Sequence, residues 1–107
     1  MTARDPLDTL QATIAARRAG DSDHSYVARL SSAGTAKIAQ KVGEEAVETV
    51  IAALASDRAA LTSEAADLIF HLLVLLADRG VTLDDVRAEL ARREGVSGLD
   101  EKAARKI

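Results

Sequence analysis

Residues 68–76 read Leu-Ile-Phe-His-Leu-Leu-Val-Leu-Leu, and this run limits the fold more than any other segment. Wound as a helix at about 100° per residue, its apolar side chains cover nearly the whole circumference. A helix apolar all round is a buried helix, so neighbours must cover it on every side. No stretch of the chain alternates cleanly with period two, which makes the fold all-α. The apolar stretch from Ala65 to Ala77 is interrupted by Asp67 and His71. It is too short to cross a membrane, and no membrane partner is expected.

The rest of the composition agrees with packed helices. Hydrophobic residues make up 48% of the chain and aromatics only 2%, so the core must be aliphatic. Sheets favour aromatic and β-branched residues, and helices do not need them. The same shortage removes the stacking platforms that bind single-stranded nucleic acid. A net charge of −3 supplies no basic field for nucleic acid. With no cysteine there is neither a disulfide nor a zinc–thiolate site, which fits a reducing cytoplasm. The N-terminal segment carries Asp5 and Asp8 and lacks a signal pattern.

Length predicts one domain over residues 1–107. Asp5 and Pro6 read as an N-cap and first helical position, opening a helix to about Ala19. Gly20 to Asp23 is a loop, and a short helix follows around Ser25 to Ser31, stopped near Gly34. A long helix is expected over Thr35 to Ala55, then a turn at Ser56-Asp57 and a second long helix over Arg58 to Arg79. Gly80 fits a left-handed C-terminal cap. Thr82 and Asp85 form a capping-box pattern for a helix to about Glu94. Ser97 and Asp100 repeat that pattern before a basic C-terminal segment.

On the first long helix, Val47, Val50, Ile51 and Leu54 share one face. Lys37, Lys41, Glu44, Glu45 and Glu48 occupy an adjoining stripe. Alone, such a stripe is an ordinary solvated face stabilised by Lys–Glu pairs. The second long helix changes the weighting, because its polar groups, Glu64, Asp67, His71 and Asp78, fall on one narrow stripe. A carboxylate on an apolar helix is costly unless it is paired, hydrogen-bonded or bound to metal. An antiparallel hairpin folded at Ser56 sets Glu48 level with Glu64, Glu45 with Asp67, and Lys41 with His71. Carboxylates facing one another repel unless a cation lies between them. Hard oxygen donors select Mg²⁺ or Mn²⁺. Lys37 and Lys41 are candidates for phosphate oxygens, which makes metal-assisted chemistry on a polyphosphate the physical reading.

Glu44-Glu45-Ala46-Val47-Glu48 followed by Glu64-Ala65-Ala66-Asp67 resembles the EExxE…ExxD pattern of the all-α, MazG-like nucleoside triphosphate pyrophosphatases. Ser25-Tyr26-Val27-Ala28-Arg29-Leu30, Gly34-Thr35-Ala36-Lys37-Ile38, Lys41-Val42-Gly43 and Arg92-Arg93-Glu94-Gly95 are more specific. Together they resemble the phosphoribosyl-ATP pyrophosphatase family over nearly the whole chain. The resemblance implies hydrolysis of phosphoribosyl-ATP to phosphoribosyl-AMP and pyrophosphate, the second step of histidine biosynthesis. It implies Glu45, Glu48, Glu64 and Asp67 as magnesium ligands, with Glu44 completing the shell or positioning water. It places Glu44, Glu45 and Glu48 in the catalytic centre.

The remaining residues have two readings each. Tyr26 either stacks on the substrate's adenine or ribose, or anchors the short helix. His71 is either a substrate contact or a satisfied core histidine. Arg92, Arg93, Lys102, Arg105 and Lys106 either hold substrate phosphates or form a solvated tail. Gly43 inside a helix suggests close approach of another helix or of substrate. One hairpin and short helices cannot cover residues 65–77, so a homodimer with a four-helix bundle is expected. The family resemblance points the same way. Two other functions stay open at this stage: a pyrophosphatase for another nucleoside triphosphate, and a non-catalytic helical interaction module.

Overall fold

A computed structural model describes residues 5–105, whose regular structure is entirely α-helical. Each helix begins and ends where local chemistry allows. The Asp5 carboxylate accepts a hydrogen bond from the Leu7 N–H and, with Pro6, opens α1 (Pro6–Arg17). Ser25 caps α2 (Tyr26–Ala33) through the Ala28 N–H. Gly34, at φ 95°, both ends α2 and precedes α3 (Thr35–Leu54) without a break long enough to be a loop. Asp57 caps α4 (Arg58–Asp78). After α4, the Val81 N–H donates to the Leu76 carbonyl and the Gly80 N–H to that of Ala77. This is a Schellman ending, with Gly80 supplying the left-handed residue at φ 74°. A full Thr82–Asp85 capping box starts α5 (Leu83–Arg92), and Ser97 caps α6 (Gly98–Ala104).

Helices α3 and α4 form the antiparallel hairpin expected from the sequence. Helices α1 and α2 cover only the half of the hairpin away from its turn. The core lies there: Ile14 of α1, Val27 and Leu30 of α2, Ile38 of α3, and Leu73 and Val74 of α4. Asp78 fastens this end, accepting from the Thr35 hydroxyl and facing Arg18 at 4.0 Å. Arg87 ties α5 to the start of α1 through Asp8 (2.7 Å) and Asp5 (3.2 Å). Arg92, exposed, and Arg93, half-buried, are paired with Glu89 and the buried Glu101. They are therefore not part of a free basic tail, while Lys106 lies outside the described residues.

The expectation that α4 is buried all round does not hold within one chain. Ile69 and Leu72 stay exposed, and so does the apolar face of α3, where Ile51 is 61% and Leu54 81% exposed. The reason is coverage: α1 and α2 are too short to reach the turn half of the hairpin. By length and apolar composition α4 meets the requirement of a membrane span. The expectation of too short a stretch rested on residues 65–77 alone, whereas the helix is longer; within the chain it packs along α3, α1 and α2 and carries the acidic stripe. Apart from its own helix backbone and chain neighbours, no described atom lies within 4 Å of the Cβ position of Gly43, so no other described helix explains that glycine.

Candidate functional site

Glu45 and Glu48 stand one turn apart on α3, and Glu64 faces them from α4. One carboxylate oxygen from each lies within 4.8 Å of the others. The hairpin register brings them together, and Ser56 and Asp57 set that register. Glu45 is buried, Glu64 half-buried and Glu48 exposed, so the cluster runs from the hairpin interior to its surface. The Oε2 atoms of Glu45 and Glu64 are buried and have no hydrogen-bond partner. Buried polar atoms are nearly always paired, so two orphaned oxygens in one cluster call for an explanation. Burial, followed by the neighbouring Glu48 carboxyl, holds the pKa of both Glu45 and Glu64 above the ordinary carboxylate range. An all-oxygen donor set whose anionic form is penalised without a cation fits a hard divalent metal ion.

Asp67, set level with Glu45 by the hairpin count, does not enter the three-residue set. It is exposed, and its charge acts on Glu45 and Glu64 through space, raising both. Lys41 reaches Glu44 at 3.3 Å and Glu45 at 3.9 Å. Its pKa is raised, chiefly by the Glu44 hydrogen bond. Glu44 accepts from the Gln40 amide at 3.0 Å, and that bond, then Lys41, holds its carboxyl below the usual range. Glu44 is thus exposed, ionised and occupied with Gln40 and Lys41, outside the carboxylate set. Lys37, one turn before Lys41, is exposed. A cavity of about 350 Å³ opens beside Glu48 and Glu64, lined by Ile51, Ala52 and Ala60. A larger one, about 690 Å³, lies between α1 and the end of α4 and contains none of the candidate residues.

The sequence count paired His71 with Lys41. The structure gives His71 a different partner: its Nε2 lies 2.8 Å from the Tyr26 hydroxyl, and its Nδ1 2.7 Å from the Asp67 carbonyl oxygen. Docking of α2 against the hairpin makes this contact. No spacing along α3 and α4 could reveal it.

Residues 7–94 match the family described as phosphoribosyl-ATP pyrophosphohydrolase. The chain belongs to the phosphoribosyl-ATP pyrophosphohydrolase family. It is 69% identical to a phosphoribosyl-ATP pyrophosphatase of Rhizorhabdus wittichii, over 92% of this chain and 93% of the relative. It is 68% identical to one of Erythrobacter litoralis (92% and 95% covered) and 65% identical to one of Zymomonas mobilis (92% of each). The phosphoribosyl-ATP pyrophosphohydrolase match runs from α1 through α5. It therefore contains every carboxylate of the cluster together with Tyr26 and His71, and ends before α6.

Proposed function

We propose that this chain hydrolyses phosphoribosyl-ATP to phosphoribosyl-AMP and pyrophosphate in the cytoplasm, as a Mg²⁺-dependent homodimer in histidine biosynthesis. The observation that carries the reading is the meeting of Glu45, Glu48 and Glu64, two of them with orphaned buried oxygens, in a chain of this family. These three carboxylates, with Asp67 from the next turn of α4, would hold the metal, and Mn²⁺ suits the same donors. When bound, the metal supplies Lewis acidity toward phosphoryl oxygens and activates water.

The chain's own residues bind and orient the polyphosphate. Lys41 lies next to the cluster and keeps its positive charge through Glu44 and Glu45, so its ammonium can take a phosphate oxygen. Lys37 extends the same positive stripe by one turn. Glu44 acts on Lys41 rather than on the reacting atoms: it pins the ammonium group from the solvent side. The bond that forms joins a water oxygen to the α-phosphorus. The α–β phosphoanhydride breaks, and pyrophosphate leaves with the bridging oxygen.

The uncovered half of the hairpin supports the homodimer reading. Val47, Val50, Ile51 and Leu54 recur at helical spacing on α3, and Ile69 and Leu72 add to them from α4. An exposed apolar face of this kind marks an association surface. A second hairpin laid against it would complete a four-helix bundle.

The experiment is to measure pyrophosphate release from phosphoribosyl-ATP and from a panel of ordinary nucleoside triphosphates, with Mg²⁺ and with a chelator. Release confined to phosphoribosyl-ATP and abolished by the chelator is expected. Faster release from an ordinary triphosphate would move the chain to the broader pyrophosphatase reading. No release from any substrate, with no Mg²⁺ binding, would favour the interaction module.

A further inference from the structure

The contacts of His71 divide its roles in an informative way. The ring is only 6% exposed. Its Nδ1 faces the Asp67 carbonyl oxygen, which can only accept, so Nδ1 carries the hydrogen. In the neutral ring Nε2 is then an acceptor, and the Tyr26 O–H donates to it. Both nitrogens are used inside the fold, and no polar atom of His71 is left for a ligand.

Tyr26 is the opposite case, being 45% exposed. Its hydroxyl is tied down by His71. The edge of the His71 ring meets it at 81°, with centroids 5.6 Å apart. Phe70 stacks against one side of it, with centroids at 6.0 Å and planes at 22°. Phe70 and His71 in turn meet edge to face at 82°. One side of the tyrosine ring is therefore covered, its tip is fixed, and the other side faces outward. These two residues and Tyr26 are the aromatic and imidazole groups of this region, in a chain with one tyrosine and one phenylalanine.

Position decides what such a ring can serve. Along α4 the stripe runs from Glu64 through Asp67 to His71, and the Tyr26 hydroxyl lies 2.8 Å from the far ring nitrogen of His71. Tyr26 thus borders the end of the carboxylate stripe opposite Glu64. A nucleotide with its polyphosphate on the Glu45–Glu48–Glu64 cluster and Lys41 has its nucleoside pointing out of the stripe at one end. Toward the turn lies the small cavity lined by Ile51, Ala52 and Ala60. Toward Tyr26 lies a flat, immobilised aromatic face. A flat face suits a purine, and stacking on a ring already held still costs less conformational entropy.

We infer that Tyr26 is the stacking surface for the purine base of the substrate and that His71 is the positioning residue that holds it. The inference rests on the proposed pyrophosphatase reading. His71 touches no substrate atom. It transmits the backbone position of Asp67 to the tyrosine hydroxyl, so the base platform and the acidic stripe of α4 share one frame.

The test uses the intact protein and the single-tyrosine, tryptophan-free sequence, in which tyrosine emission reports on Tyr26 alone. Phosphoribosyl-AMP, which carries the base and is not turned over, is expected to change that emission on titration. Pyrophosphate with Mg²⁺ is expected to bind, by calorimetry, without changing it. In turnover assays Tyr26→Leu should raise KM about tenfold or more, the scale of one lost base–aromatic stack, with a smaller change in kcat. Tyr26→Phe keeps the ring and loses the tether, and should raise KM less. His71→Gln should match Tyr26→Phe, and adding it to Tyr26→Leu should raise KM no further. Circular dichroism of each variant separates these effects from misfolding, and Tyr26→Phe keeps the test open should the leucine variant fail to fold. Unchanged emission with phosphoribosyl-AMP, or a further KM rise from His71→Gln in the Tyr26→Leu background, overturns the inference while wild-type turnover leaves the pyrophosphatase reading standing. Absence of turnover in the wild type overturns that reading itself, and the inference with it.

Discussion

Glu45 on α3 and Glu64 on α4 each bury an Oε2 atom that meets no hydrogen-bond donor, and both carboxyls resist ionisation. Two facing helices thus present unsatisfied acceptors to the same small volume. A cation is the simplest way to satisfy both, and without one the pair works against the fold.

Replacing either carboxylate with its amide should separate function from stability. Glu45→Gln and Glu64→Gln are expected to lower turnover at least about 100-fold, as loss of a metal ligand does. Thermal unfolding without metal should shift upward by a few degrees, and the further rise that Mg²⁺ gives the wild type should disappear. Near-normal activity in both variants would leave the metal site without support.

The pH dependence of the metal-free protein has a definite sign. A carboxyl whose pKa is raised on folding binds its proton more tightly in the folded chain. The contribution of Glu45 and Glu64 is therefore full below their unfolded value near 4.5 and falls as pH rises through the folded values. Urea titrations from pH 4.5 upward should show stability declining over that range in the wild type, and less so in Glu45→Gln. With Mg²⁺ present the trend should reverse, because the metal binds the ionised form. A metal-free profile that rises with pH would contradict the burial of these groups.

Assembly can be tested at the exposed apolar face. Ile51→Asp or Leu54→Asp puts a charge where the second hairpin is expected to lie. Sedimentation should show a dimer for the wild type and a monomer of lower stability for either variant. A wild type that sediments as a monomer at micromolar concentration rules out the four-helix bundle.

The hairpin turn stores a small strain. Ser56 has φ 58°, a left-handed conformation that disfavours side chains. Ser56→Gly should stabilise the protein by about 0.5–1 kcal/mol, relief of that strain set against the greater freedom of glycine when unfolded. Differential scanning calorimetry should record the higher melting temperature, with pyrophosphatase activity kept because the register of Glu48 and Glu64 does not move.

Much of this architecture is local and was therefore readable along the chain. Asp5-Pro6, Gly34, Asp57, Gly80, Thr82 and Ser97 start or stop helices through contacts a few residues long, and each acts where expected, while Ser25 caps α2 rather than belonging to it. The meeting of Glu48 with Glu64 was equally accessible, since a hairpin with a tight turn converts equal distance from Ser56 into equal height. Two features needed the tertiary structure. Asp67 shares a stripe with Glu64, yet it is exposed and lies outside the three-residue set, which counting positions cannot resolve. The Tyr26–His71 hydrogen bond joins residues 45 positions apart through the docking of α2, a packing event with no periodic trace in the sequence. The apolar run at residues 68–76 determined that α4 would need neighbours all round. Only the fold showed which neighbours this chain supplies and which face it leaves for another, because coverage depends on how far α1 and α2 reach along the hairpin.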